Sequence, residues 1–578
     1  MLNFYDFEVF KHDWLVVIIN PAERTETVII NDKAKLEEYH KNHCNEIWVG
    51  YNSQHYDQYI LKAILCGFDP KKVNDFIIAQ GKHGWQFSSV FRKIKLNNYD
   101  IMYRNDGGLK SLEGFMGNNI KETSVPFDID RKLTQAEIDE TVKYCRHDVE
   151  QTIEVFLERK SDFDAQMGLI TMFNLPLSNI CRSKAQLSAF ILNAVRPEHS
   201  RGDEFNITIP NTLRINKYQH VVDWYRNPNN RDYSKSLTTD VAGVETLFGW
   251  GGIHSAKKKY SGEGYFVNMD VASLYPSLMI EYNLHSRNIV DPQKFVDIYH
   301  NRLKYKAEKN PLQLPLKLVL NSTYGAMKDK NNQLYDPLMA NNVCIHGQLL
   351  LLDLMEKLEP YAEIIQSNTD GILIKMPTNV PGACLSNAED IWFNLIDDIV
   401  HEWEQRTHLQ MEFDEYRKVF QKDVNNYIVV DASGKYKSKG AYVKKLTALD
   451  FDLPIVNKAM VDYMVHGIPV EQTVNECNEL KMFQKIVKRS GKFKCVWHNG
   501  QSYDEKCFRV FASNRSSDTS IGKQKEGKSS IEKFANTPEQ CFILNDSVND
   551  RNCVSRLNRQ WYIDLAKERL QQFGVETE

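Results

Sequence analysis

Three short stretches hold acids at spacings that suit metal-assisted phosphate chemistry. In FYDFEVF, Asp6 and Glu8 stand two apart in an aromatic run. Read as a strand, it alternates its side chains, so both carboxylates project from one face. Two acids there repel each other unless a cation lies between them, which a divalent ion would supply. An exposed strand edge would account for the same pair without chemistry. In GYNSQHYDQYI, Asp57 follows Asn52 by five positions at a strand-to-helix junction. In YCRHDVEQT, Tyr144 and Asp148 are four apart, on one face of a helix, and an ordinary helix surface is the alternative. Four carboxylates around two ions, with a tyrosine orienting the attacking water, make a phosphodiesterase site.

A second set lies downstream. NMDVASLYPSLMI puts Asp270 at a strand end before a turn that reaches Tyr275 and Pro276; an acid so placed also serves as a helix cap. In PLKLVLNSTYGAM, Lys317, Asn321 and Tyr324 recur at i, i+4 and i+7. That single helical face is too polar for a core, and Gly325 permits close approach. Arg302 and Lys306, also four apart, give a second cationic face, and together these groups suit a triphosphate. Residues 364–376, IIQSNTDGILIKM, read as two apolar runs joined by a polar turn, with Asp370 at the bend and Asn368 two positions before it. Asp370 is there either a turn residue or a metal ligand.

The elements that must position these groups follow from the hydrophobic pattern. WLVVIIN and EIWVGYN read as strands, DQYILKAIL and LTQAEIDETVKYCRHDVEQTIEVFLERK as helices, so the first ~160 residues suit an α/β domain. GYFVNMDVASLYPSLMI reads as a strand, turn and helix, and KAEKNPLQLPLKLVLNSTYGAM as a helical pair broken by Pro311 and Pro315. Residues 513–530, SNRSSDTSIGKQKEGKSS, read as a flexible loop.

At 578 residues the chain is long enough for several domains, with 42% hydrophobic and 26% charged residues. No run of eighteen apolar residues is expected to span a bilayer, and MLNFYDFEVF carries acids where a secretion signal carries positive charge, so a cytoplasmic protein without membrane association is expected. The eleven cysteines include no CxxC pair, which argues against zinc ribbons, iron–sulfur sites and a disulfide framework. Net charge is −4, yet residues 435–445 and 485–494 each hold five basic side chains and no acid. Such local positive stretches suit phosphate binding, although solvated lysine faces would look the same.

Taken in order, DxxSLYP, Kx3NSxYG and a hairpin-borne TDG resemble the A, B and C motifs of family B DNA polymerases, most closely the compact bacteriophage enzymes. The N-terminal acids, in their order and spacing, resemble a DEDDy-type 3′→5′ proofreading exonuclease. The resemblance implies an α/β and α+β multidomain fold: an RNase H-like exonuclease domain at 1–160, a connecting segment at 161–245, palm at 246–290 and 326–420 around fingers at 291–325, and a thumb and C-terminal region at 421–578. It implies that Asp6, Glu8, Asp57 and Asp148 bind two Mg²⁺ ions, that Tyr144 orients water, that Asn52 meets a single-stranded 3′ end and that Lys110 steadies a phosphate.

In the polymerase region the resemblance implies that Asp270 and Asp370 hold two Mg²⁺ ions, with Mn²⁺ as an alternative. Arg302, Lys306 and Lys317 would bind the dNTP, Tyr275 would pack under its sugar, and Asn321 and Tyr324 would lie against the base pair. Gly251 and Gly252, in FGWGGIHSA, would contact the template, and Lys435, Lys437 and Lys439 would grip the primer duplex. Implied partners are primer–template DNA and accessory replication proteins: a clamp, a helicase and a single-strand binding protein. Asn368 departs from the family's usual aspartate. The short separations from Asp270 to Lys317 and from Gly325 to Asp370 leave little room for the insertions of protein-primed relatives. The competing readings are a dedicated exonuclease with an inactive polymerase region, supported by Asn368, and a non-catalytic scaffold for primer–template junctions.

Overall fold

The alternation in FYDFEVF is realised in strand β1 (Leu2–Val9), which is central rather than at an edge. The computed structural model describes residues 1–199, 201–378 and 388–577. In it β1 pairs antiparallel with β2 (Trp14–Asn20) and parallel with β4 (Ile47–Gly50), while β3 (Thr25–Ile30) and β5 (Asn97–Asp100) complete the order β3-β2-β1-β4-β5. Phe4 packs with Cys145, Val149 and Phe156, whereas Tyr5, Phe7 and Val9 pack with Trp48, Ile60 and Leu61. Both faces of β1 are therefore covered, and Asp6 and Glu8 fall on the Phe4 face by the two-residue repeat.

The helix covering that face is Gln135–Glu158, fixed at its start by a reciprocal Thr134–Glu137 capping box. Its buried stripe runs through Thr141, Cys145, Asp148, Val149, Thr152 and Val155, which is helical spacing with one acid included.

Two units are built from interleaved stretches of chain. The first comprises Met1–Arg182, Leu446–Ile455 and Cys477–Tyr562, and the second Ser183–Lys445, Val456–Glu476 and Ile563–Glu578. Residues 421–578 are thus distributed over both. Within the first unit, the C-terminal stretch adds a three-stranded and a four-stranded sheet. Arg509, 0% exposed, fastens it: Nε donates to Gln484 Oε1 at 3.0 Å, Nη1 to the Asp546 carbonyl at 2.6 Å, and Nη2 to the carbonyls of Gly114 and Asn118 at 3.1 and 2.7 Å. Burial lowers this guanidinium to about 10.

Residues 513–530 are not the expected open loop. Strand Gly522–Lys525 pairs with strand Phe493–His498, and the buried Asp518 is ion-paired to Arg556. The Lys523 ammonium lies 4.5 Å from the Phe493 ring centre, so polar composition concealed a strand whose lysine stems cover aromatic surface.

The second unit is organised on a nine-stranded sheet in the order β14-β13-β12-β9-β11-β10-β8-β7-β6. Its strands are β6 (Leu237–Val241), β7 (Val244–Phe248), β8 (His254–Ala256), β9 (Tyr260–Val271), β10 (Glu363–Asn368), β11 (Gly371–Lys375), β12 (Met411–Asp423), β13 (Asn426–Val430) and β14 (Tyr436–Lys439). Helices Leu274–Glu281, Gln293–Ala307 and Gln313–Lys328 follow β9, with Pro311 between the last two and Pro315 in the first turn of the third, where its missing N–H costs nothing. Helix Pro337–Leu358 corrects one expectation: by length and composition it is apolar enough to cross a membrane. Its most apolar window is 94% buried within the protein, as suits a core helix.

Candidate active sites

In the first unit the acids singled out from sequence lie close together. Ligand atoms of Asp6, Glu8 and Cys145 fall within 4.8 Å of one another. Asp57, 2% exposed at the start of helix Asp57–Leu65, accepts the Phe7 N–H through Oδ1 at 3.1 Å, which ties it to β1 between Asp6 and Glu8. Lys110 Nζ reaches Asp148 Oδ1 at 2.5 Å and lies 4.7 Å from the Tyr144 ring centre. Asn52 takes a left-handed backbone, φ 62°, and its N–H donates to Asp100 Oδ1 at 2.9 Å. Asp100 therefore shapes the turn, a role the sequence reading missed.

The electrostatics register crowding. Burial first, then the charges of Asp57, Glu8 and Asp148, hold the Asp6 carboxyl well above its usual range. Burial and the charges of Asp148 and Asp57 do the same to Glu8. Burial pushes Asp57 up to about 7, and it pushes Asp148 to about 6 against the pull of Lys110. Several carboxylates in a desolvated space, opposed chiefly by one lysine, are short of positive charge. The donors are hard oxygens, the set Mg²⁺ and Mn²⁺ take. Cys145 does not compete as a ligand: burial raises its thiol well above the ordinary value, and Sγ donates to the Asp6 carbonyl at 3.3 Å. A groove of about 810 Å³ opens beside Lys110 and Tyr144 and runs between residues 122–127 and 502–506, with Phe127, Tyr503 and Lys506 on its walls.

In the second unit Asp270 and the hairpin β10–β11 meet across the sheet. Asp270 stands opposite Gly371 in the β9–β11 register, and the Val271 N–H donates to the Asp370 carbonyl at 2.8 Å. A Cβ on Gly371 would collide with Asp270 Oδ1, so this glycine makes room for the carboxylate. Asn268 Nδ2 donates to Asp270 Oδ2 at 2.7 Å. Burial and then the charge of Asp370 raise Asp270 to about 6, and burial raises Asp370 as well. Neither Gly371 nor Asn268 was singled out from sequence, although the invitation to look at the glycine lay in TDG itself.

Asn368 Nδ2 donates to the Val424 carbonyl at 3.4 Å. The FGWGG segment packs against the hairpin bend. The Thr369 N–H donates to the Ile253 carbonyl at 2.9 Å, and a Cβ on Gly252 would lie 2.8 Å from Thr369 Oγ1, whereas Gly251 faces open space.

The Tyr275 and Tyr324 rings pack against each other at a tilt of 34° with centres 4.1 Å apart, and Tyr324 bonds Cys344. Lys317 and Asn321 are exposed on the helix that carries Tyr324. Arg302, 8% exposed, donates to Ser273 Oγ at 2.7 Å, and Ser273 itself adopts φ 54° in the turn after β9. Lys306 pairs with Glu412 at 3.0 Å on the surface. Lys437 pairs with Asp414 at 2.7 Å, and Lys437 and Lys439 sit on β14 of the same sheet, where Lys439 acts electrostatically on Asp370. Lys435 lies in the turn before that strand, its N–H bonded to Asp431 Oδ1 at 3.0 Å.

Comparison with known proteins gives a distant likeness to two archaeal proteins. The chain is 24% identical over 304 residues to DNA polymerase 1 of Saccharolobus solfataricus, covering 43% of this chain and 32% of that protein. It is 22% identical over 228 residues to DNA polymerase 1 of Sulfolobus acidocaldarius, covering 38% of this chain and 24% of that protein. The chain thus spans a third or less of the length of these curated relatives. No protein-family model matches it.

Proposed function

We propose that this protein is a family B DNA polymerase of bacteriophage type that extends primers on a DNA template and proofreads with a DEDDy-type 3′→5′ exonuclease. The observation that carries the reading is the meeting of Asp270 with the Asp370 hairpin, where a glycine is required for the first carboxylate to fit. The names of the two archaeal relatives support DNA synthesis as the chemistry. Residues 246–290 and 326–420 form the palm, 291–325 the fingers, and the thumb begins near 421.

Asp270 and Asp370 would hold two divalent ions, Mg²⁺ by the chemistry of the donors, and such ions would supply activation of the primer 3′-hydroxyl and neutralisation of the triphosphate. The chain's own part is positioning. Arg302 and Lys306 exchange their present contacts for phosphate oxygens, the exposed Lys317 adds a third cation, and Asn321 and Tyr324 present a flat surface to the base pair. Tyr275, braced by Tyr324, excludes a 2′-hydroxyl. Gly252 packs the template-facing segment onto the hairpin, Gly251 leaves space for a backbone, and Lys435, Lys437 and Lys439 meet the duplex phosphates.

In the first unit Asp6, Glu8, Asp57 and Asp148 hold two further ions, Tyr144 orients water, and Lys110 steadies the scissile phosphate. The three antiparallel strands continued by two parallel ones support the RNase H-like reading of residues 1–160. Asn52 and the groove beside Tyr144 receive the single-stranded 3′ end. In the cell the protein works in phage genome replication in the host cytoplasm, on ordinary primers, with a clamp, helicase and single-strand binding protein as partners.

The test is extension of a 5′-labelled primer with Mg²⁺, with and without dNTPs. Lengthening that Asp370→Ala abolishes, with dNTP-free shortening that survives it, is the expected result. A wild type that only shortens the primer would leave a dedicated exonuclease, with Asn368 marking the inactive half.

A further inference from the structure

Resting on the exonuclease reading, we propose that Glu113 is a positioning residue: it is the carboxylate onto which Lys110 moves when a divalent ion takes Asp148. Glu113 is one turn after Lys110 on helix Leu109–Met116, and its side chain is 0% exposed. Lys110, its side chain 14% exposed, bridges two acids, Asp148 at 2.5 Å and Glu113 at 3.0 Å. The second Glu113 oxygen, Oε2, has no hydrogen-bond partner, and His147 Nε2, 3.5 Å away, has none either. Glu113 thus holds a spare acceptor in a buried place, where an unsatisfied oxygen is costly unless it has a use.

The use follows from charge. A divalent ion on Asp148 repels the ammonium that now occupies that carboxylate, and a buried ammonium cannot retreat without another acceptor. Glu113 supplies one within reach of the same Nζ, so Lys110 remains paired, stays over the Tyr144 ring and leaves Asp148 to the metal. Without Glu113, every ion bound would strand Lys110. Lys110 is then a removable counter-ion that keeps the acid cluster tolerable before metal arrives. Partners one layer out from the ligands commonly change metal affinity 10–100-fold.

The experiment measures Mn²⁺ binding by electron paramagnetic resonance on the full chain in a D270A/D370A background, so that bound Mn²⁺ reports on the first unit. Glu113→Gln is expected to weaken Mn²⁺ binding about tenfold. Lys110→Met removes the competing ammonium, and in its presence most of the Glu113→Gln loss should vanish. That recovery also shows that the site still folds in the Glu113→Gln variant. Unchanged Mn²⁺ affinity in Glu113→Gln overturns the proposal, as does a loss that persists in full beside Lys110→Met. A background protein that binds no more Mn²⁺ than one also carrying Asp6→Ala and Glu8→Ala overturns the metal reading itself, and this proposal with it.

Discussion

Gly371 has no chemistry of its own, yet it leaves the room that the Asp270 carboxylate occupies. Gly371→Ala forces either the β9–β11 register or the carboxylate to shift. Misplacement by about 1 Å costs on the order of 100-fold in rate, so primer extension should fall by that factor while degradation of single-stranded DNA is unchanged, both read on one labelled primer. A pH dependence also belongs at this scale. Asp57 and Asp148, at about 7 and about 6, bind protons in the folded protein that an unfolded chain has already lost at an ordinary carboxylate value of about 4. Their contribution to stability is therefore present below pH ~4 and lost as pH rises through 6 to 7. In the D270A/D370A background the metal-free melting temperature should fall between pH 5 and pH 8. A fixed Mn²⁺ concentration, a hundredfold above the Kd at pH 8, should restore about 2.7 kcal/mol at pH 8 and less at pH 5. Equal Mn²⁺ shifts at both pH values would contradict the buried-carboxylate account.

At the level of elements, Arg509 locks the Lys110 helix to the strands of the C-terminal stretch. Arg509→Leu leaves the Asn118 carbonyl and the buried Gln484 Oε1 without their donor, while the Gly114 carbonyl keeps the Gly117 N–H, and such orphaned acceptors cost about 1–3 kcal/mol each. Denaturant unfolding should show a loss on the order of 3 kcal/mol, and amide exchange should speed up around residues 109–118 first. The elements also divide by what a sequence can reveal. Strand β1, the Gln135–Glu158 helix and the β10–β11 hairpin were legible because alternation, a helical hydrophobic pattern and an apolar-turn-apolar run are local signals. Arg509 was not, since its carbonyl partners at 114 and 118 lie nearly four hundred positions away and carbonyls leave no mark in composition. Nor was the strand at Gly522–Lys525, where lysines cover rings and read as solvent-facing. Glu113 was passed over beside Lys110 because only its burial shows that it is more than a surface acid.

Across the whole molecule, the two acid clusters belong to different units. Asp6→Ala with Glu8→Ala should therefore abolish primer shortening and leave extension intact, and Asp370→Ala should do the reverse; loss of both activities in either variant would show that one site serves both reactions. Cutting the chain after Arg182 should not yield a working first unit, because Ile120 and Phe115 would lose Ile486 and Cys507 from their apolar cluster. The expected result is a fragment with a lower melting temperature that binds Mn²⁺ more weakly than the full chain. The interleaving has a consequence for the making of the protein. A ribosome delivers the acids of β1 first and Arg509 some five hundred residues later. At about 5–20 residues per second, the unit begun first waits roughly half a minute or more for its closing pieces. Throughout that wait the Phe115 and Ile120 surface has nothing of its own chain to cover it. The nascent chain is most exposed to chaperones and proteases at the unit it started earliest.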